Sequence, residues 1–234
     1  MNRITLILAT VLSLAFTQVT AQDFNKGYEA YKAGDYATAL KEWKPLAEQG
    51  YAAVQYNLGW MYHKGNGVVQ NYAEALKWWR LSADQGNATA QHALGVIYYN
   101  GNGVLKDFSQ AVKWYQLSAE QGHLPAQNNL GAMYRDGKGV LKDYTEAVKW
   151  FRLAAEQGDA TAQANLGILY GASHTVLYNN LTSHMWYNIA SANGHEKAGE
   201  YRDERAGLMT ADAIEKATAM ARECMASDYK KCGY

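Results

Sequence analysis

The feature that most limits what this chain can fold into is an internal period of 36 residues. Laid over itself at that shift, the sequence aligns four blocks without a gap: 52–87, 88–123, 124–159 and 160–195. Leu-Gly recurs at Leu58-Gly59, Leu94-Gly95, Leu130-Gly131 and Leu166-Gly167. Tyr62, Tyr98, Tyr134 and Tyr170 hold a second position, Gln55, Gln91, Gln127 and Gln163 a third, and Trp78, Trp114, Trp150 and Trp186 a fourth. So many matches in one register define a repeated structural unit. A unit of this length holds two short helices, and one such hairpin cannot bury its own apolar face. Stacking the units makes a continuous core.

The second block shows how each unit reads. Ala90, Leu94 and Tyr98 fall four apart and make one apolar stripe along a first helix. Gly101-Asn102-Gly103-Val104 ends it, because glycine accepts the positive φ values of a sharp reversal. Asp107 is placed to cap a second helix, which carries Ala111, Trp114, Tyr115 and Ala119 on its buried side and closes at Gly122. Small residues at Gly95, Ala111 and Ala119 predict close helix approach, with Trp114 and Tyr98 filling the remaining space. The composition follows from this unit: 21 glycines set turns, 18 tyrosines and 7 tryptophans fill seams, and only 2 prolines interrupt helices.

The pattern Ala-x-Gln-x-x-Leu-Gly-x-x-Tyr, then Gly-x-Gly-Val, then Ala-x-x-Trp and a closing Gly resembles the Sel-one-like repeat (SLR) family. That family is a relative of the tetratricopeptide repeat with a slightly longer hairpin loop. Over residues 52–195 the resemblance implies an all-α fold, a right-handed α/α superhelical solenoid of helix-hairpin repeats with an inner concave face. It also implies adaptor work without catalysis, in bacteria often in the periplasm or at host contact. The fourth block departs from the pattern. Ser173-His174-Thr175-Val176 replaces Gly-x-Gly-Val, Asn179 stands where Asp107 does, and Ser183 replaces the helix alanine, so a differently shaped loop and the end of the array are expected there.

The flanks read as weaker copies and caps. Gly34-Asp35-Tyr36 with Ala39, Trp43 and Gly50 resembles the second half of a tetratricopeptide unit, and Phe24 to Lys32 would supply its first helix, making 22–51 a partial repeat. Residues 196–234 predict a charged helix from Glu196 to Leu208, then a last helix capped by Thr210 and bearing Ile214, Ala217, Ala221 and Cys224. At the other end, one early cation, the apolar run Ile4 to Phe16 and Val19-Thr20-Ala21 form a signal-peptide pattern over 1–21. Thirteen apolar-rich residues are too few to cross a bilayer core, which needs roughly 20. The expectation is export to the periplasm or beyond, without stable membrane insertion after cleavage. Cys224 and Cys232 are then expected to pair as a disulfide.

No catalytic constellation stands out. The chain holds no Gly-x-Ser-x-Gly, no His-Glu-x-x-His and no Gly-x-x-x-x-Gly-Lys-Ser/Thr. Its Gly-x-Gly pairs follow helices at the repeat period and read as hairpin turns, not phosphate loops. The six histidines lack ligand spacing, and no cofactor or metal is expected. His123 and His195 follow a helix-ending glycine, where a cation suits the helix C-terminus. The repeated Gln is expected to bond a neighbouring backbone. With 22 Lys+Arg against 22 Asp+Glu, the charge disfavours broad nucleic-acid affinity.

Function is therefore expected where the blocks differ. In the tetratricopeptide analogy the second, fifth, ninth and twelfth residues of the first helix face the groove. Among these positions Tyr56, Trp60, His63, His92 and Tyr99 make the N-terminal half aromatic, and Asn128 and Arg135 add polar contacts in the third block. Aromatic anchors on a rigid concave wall suit a protein or peptide partner. Tyr56 and Trp60 could equally pack on the preceding partial repeat. The alternative functions are an envelope β-lactam-binding or β-lactam-hydrolysing enzyme, as linked to cysteine-rich relatives with a disulfide in each repeat, and a peptidoglycan-binding protein.

Overall fold

The computed structural model describes residues 23–175 and 177–232. The expected signal peptide lies outside the described residues. Every regular element among them is a helix, and the chain divides into two compact units between Lys106 and Asp107. The first unit holds α1 (23–32), α2 (Tyr36–Glu48), α3 (Ala52–Lys64), α4 (Tyr72–Asp84) and α5 (Ala88–Asn100). The second holds α6 (Phe108–Glu120), α7 (Leu124–Asp136), α8 (Tyr144–Ala155), α9 (Ala160–Gly171), α10 (Asn180–Ala192), α11 (Ala198–Ala206) and α12 (Ala211–Ala226). In the first unit α2 to α5 pack in succession, and in the second α6 to α11 do so while α12 packs back on α10, the helix-hairpin arrangement that the period demanded.

The hairpins start and stop where local chemistry says. Gly65, Gly101 and Gly137 end α3, α5 and α7 in the left-handed conformation, each donating its N–H to a carbonyl four residues back. Asn71, Asp107, Asp143 and Asn179 then cap the next helix through their side chains, so Asn179 serves as well as aspartate. The backbone N–H of Asn71, Asp143 and Asn179 also reaches the carbonyl of Tyr62, Tyr134 and Tyr170, tying the loop shut across the repeat tyrosine.

The repeated glutamine joins successive hairpins. Its Nε2 donates to an alanine carbonyl at the end of the preceding hairpin: Gln55 to Ala47 at 3.0 Å, Gln91 to Ala83 at 3.2 Å, Gln127 to Ala119 at 3.2 Å and Gln163 to Ala155 at 3.0 Å. The same carbonyl takes the N–H of the closing glycine (Gly50, Gly86, Gly122 or Gly158). The amide oxygen is served from its own repeat, by Gln85 on Gln55 (2.7 Å), Gln157 on Gln127 (3.2 Å) and Asn193 on Gln163 (2.8 Å). All four glutamines are buried, so their polar groups must be paired inside the protein.

The ladder tryptophans are buried as expected, and the structure adds which ring seats on the helix glycine. The ring that fills the space over the helix glycine is not the ladder tryptophan but the residue after it. A Cβ on Gly59 would lie 2.6 Å from Trp79, one on Gly131 2.8 Å from Phe151, and one on Gly167 2.6 Å from Tyr187. Only glycine lets those rings lie flat on the first helix. Ser183, at an alanine position, is buried and donates to the Gly167 carbonyl at 2.7 Å. His123 departs from expectation. It stands at the N-cap of α7, and burial pushes its pKa down, so desolvation outweighs any gain from a cation at a helix end.

At the C-terminus α11 is shorter than expected, and Thr210 caps α12 as anticipated. Cys224 and Cys232 are disulfide-bonded and fully buried. The bond holds the tail so that the Tyr229 hydroxyl donates to Asn193 Oδ1 at 3.1 Å, on the last rung of the glutamine ladder. Such a bond is characteristic of an oxidising compartment.

Candidate functional site

The aromatic residues of the first unit converge on an open cleft of about 200 Å³. Tyr28 and Tyr31 reach it from α1, Trp43 from α2, and Tyr56, Asn57 and Trp60 from α3. Its walls are fixed by the packing described above. Trp43 lies against Gly27 and donates its indole N–H to the Phe24 carbonyl at 3.2 Å. Trp79 lies against Gly59 and donates to the Tyr56 carbonyl at 3.1 Å. Tyr31 stacks on Trp43 with centroids 5.6 Å apart, and its hydroxyl accepts from Asn66 Nδ2 at 3.0 Å. Rings held this way lose little further freedom when a ligand arrives.

Tyr28 is the most exposed of them at 45%, and Trp60 follows at 36%. Behind it His63 lies 5.5 Å from Trp60, 5.3 Å from Trp79 and 5.4 Å from Tyr72, centroid to centroid. Burial, and then the neighbouring Lys64, push the His63 pKa down, so the imidazole is neutral at neutral pH. Burial, and then Tyr31, push the Tyr56 phenol up, so it is neutral too. Lys64 and Lys32 stand at the rim, with Nζ 4.9 Å from the Trp60 ring centroid and 5.2 Å from that of Tyr28, both cation–π geometries. The cleft is thus aromatic and pre-formed, with its charges confined to the rim.

The expected site residues divide accordingly. Tyr56 and Trp60 line the cleft and also pack beside the partial repeat, so the two readings of them describe one arrangement. His63 backs Trp60. His92 and Tyr99 stand seven residues apart on α5, hence near one face, and both are half-buried. Asn128 donates to Asp159 Oδ1, the N-cap of α9, at 3.0 Å, so its amide is held by the frame. Arg135 bonds Asp136 at 2.8 Å and Asn165 Oδ1 at 3.3 Å, beside a second cavity. Sequence reasoning missed Tyr28, Tyr31 and Trp43. The signal was present: Gly27 and Trp43 repeat the pairing of Gly59 with Trp79 across a loop four residues shorter, which the 36-residue register skips.

Among the described residues no group of three or more His, Cys, Asp or Glu is arranged to hold a metal ion. No helix among them is long and apolar enough to cross a membrane.

The profile of the Sel1 repeat matches four times in succession, at 52–87, 88–123, 124–159 and 160–195. The chain belongs to the Sel1 repeat family. Proteins built of Sel1 repeats are in general protein–protein interaction scaffolds and typically non-catalytic. Among solved structures, this chain is similar to a Sel1 repeat protein from Oxalobacter formigenes, with 32% identity and a TM-score of 0.73 over 89% of this chain and 91% of that one. It is also similar to a protective antigen of uropathogenic Escherichia coli displaying an SLR fold, with 37% identity and a TM-score of 0.68 over 82% of this chain and 40% of that one. An immunity protein of Pseudomonas aeruginosa shares the fold at 18% identity and a TM-score of 0.51, over 90% of this chain and 84% of that one. No curated protein is matched.

Proposed function

We propose that this Sel1 repeat protein is an exported, non-catalytic adaptor that seats a segment of a protein partner against the aromatic face of its first unit. The observation that carries the reading is the cleft of Tyr28, Tyr31, Trp43, Tyr56 and Trp60, pinned by indole hydrogen bonds and open to solvent. Tyr and Trp are the residues that dominate binding hot spots, because they contribute large area at low entropic cost. His63, His92 and Tyr99 of the same unit are taken to add to this surface, and Asn128 and Arg135 are taken as partner contacts of the second unit. Export to the periplasm or outside the cell is supported by the apolar segment Ile4 to Phe16 before Val19-Thr20-Ala21, and by the disulfide.

The test is photo-crosslinking of the full chain in cells from positions 28 and 99, with the trapped species identified by mass spectrometry. A discrete protein adduct is expected. Trp60→Ala should lower its yield by about tenfold or more, as loss of a hot-spot aromatic does, with the far-ultraviolet circular dichroism unchanged. An adduct whose yield ignores Trp60→Ala would put the interface elsewhere and end the reading.

A further inference from the structure

The fourth repeat departs from the loop pattern of the others, and a cavity lies at the departure. In the first repeat, a Cβ on Gly67 would lie 2.7 Å from Cβ of Tyr36 and 3.1 Å from its backbone. Gly103 lies as tightly against Tyr72, and Gly139 against the backbone of Phe108. Each is the second glycine of Gly-x-Gly, and each seats on the first residue of the second helix one repeat earlier. One period further on stands Thr175, opposite Tyr144. Its hydroxyl is 2.9 Å from the Ala172 carbonyl and 3.2 Å from that of Leu169, so the loop folds back on the end of α9. His174 meets Tyr144 edge-on, with centroids 6.2 Å apart. Both line a cavity of about 380 Å³.

One wall of this cavity is cationic. Arg135, Lys138 and Lys142 line it with a single carboxylate, Asp136, which takes Arg135 at 2.8 Å and Lys138 at 3.4 Å. Those two partners hold the Asp136 carboxyl below its usual range, so it is ionised at neutral pH and the lining keeps a surplus of positive charge. Asn165 holds the Arg135 guanidinium from the neighbouring helix. Ile168 and Ala172, with the buried Leu169 behind them, give the lining an apolar part. Cations gathered in a concave site focus their field, and an arginine fork matches a carboxylate. Bare phosphate has no body to cover the apolar part. A carboxylate carrying an apolar side chain satisfies both parts at once.

We propose that this cavity binds the carboxylate of a small amphipathic acid, either the C-terminal residue of a peptide or a free N-acyl amino acid. The carboxylate faces Arg135, Lys138 and Lys142, and the side chain covers Ile168 and Ala172. The site goes beyond the aromatic cleft and does not depend on it.

The experiment is calorimetric titration of the full chain with N-acetyl-leucine, its amide, an octapeptide ending in leucine with a free carboxylate, and inorganic phosphate. The acid is expected to bind at least tenfold more tightly than the amide, and more weakly as salt rises. Lys142→Ala and Arg135→Ala should each weaken it several-fold, with unaltered thermal midpoints showing that the fold survives. Tighter binding of the octapeptide than of the acid assigns a peptide end, and equal binding assigns the free acid. Equal binding of acid and amide, no binding of either acid or octapeptide, binding of phosphate alone, or indifference to both variants would overturn the proposal. Trp60→Ala should leave the acid's affinity unchanged, so failure here and failure of the aromatic cleft are told apart.

Discussion

In the unit that ends at Lys106, the first helices present tyrosine and tryptophan, and the ionisable groups near them, Tyr56 and His63, are held neutral by burial. In the unit that begins at Asp107, the corresponding helices α7 and α9 present Asn128, Arg135, Asn165 and Ile168, and the cavity beside them is lined by three cations and one carboxylate. Yet both units run the same glutamine ladder and the same glycine seats for an aromatic ring. The frame residues spend their polar groups and volume on one another. What is left over, on the outer turns of the first helices and in the loops, is free to change from aromatic to cationic without disturbing the stack. Surface character and fold are thus carried by different residues of the same short helices.

The largest expected effect that separates the units is loss of the Cys224–Cys232 bond, which closes a short loop in the second unit alone. The Cys224→Ser, Cys232→Ser double variant should lose about 2–3 kcal/mol on the chain-entropy account. Amide hydrogen exchange should speed in α10 and α12, where Tyr229 leaves Asn193, and hold steady in the first unit. Exchange rising equally in both would erase the distinction.

Next come the glycine seats. Gly59→Ala pushes a methyl into Trp79 and Gly131→Ala one into Phe151, each fully inside the packing, at a cost of about 1–3 kcal/mol. The first should be the more damaging, because Trp79 also stands to lose its hydrogen bond to Tyr56. Denaturant midpoints of the two variants check this, and the reverse order would mean that the indole bond contributes little.

The smallest effect is that of acid. His63 in the first unit, and His123 and His184 in the second, have pKa values lowered from 6.5, in each case chiefly by burial. A lowered folded-state pKa means that the unfolded chain takes up the proton first. The stability these groups give is therefore complete above about pH 6.5 and is lost as pH falls through their folded values. With two such groups against one, the slowest amides of the second unit should lose more protection between pH 7.5 and pH 5.5. Equal losses would show that one of its two histidines stays solvated.

Much of the fold was legible in the residues. The repeat glutamine was expected to bond a neighbouring backbone and does so four times, while Asp107 and Thr210 cap the helices they precede. These succeed because caps and turns depend on a few residues in a row, and a buried amide must be paired wherever it sits. The site was legible only in part. Period 3.6 says which face of α3 is turned inward but not what it meets, so Tyr56 and Trp60 could be singled out while Tyr28, Tyr31 and Trp43 could not. In the same way Trp114 could be placed on the buried side, where it lies, but it could not be read that the glycine seats take the residue after the ladder tryptophan. Which of two adjacent rings lies on a glycine depends on how the hairpin closes.

By itself, then, the sequence determined an all-helical stack of hairpins, its turns, its caps and the face each helix buries, since local geometry and a fixed period are enough for these. Only the tertiary structure decided which rings enclose the cleft and that a threonine in place of a loop glycine stands beside an opening next to three cations. Both depend on side chains far apart in the chain meeting at a few ångströms, where a single Cβ sets whether a seam closes.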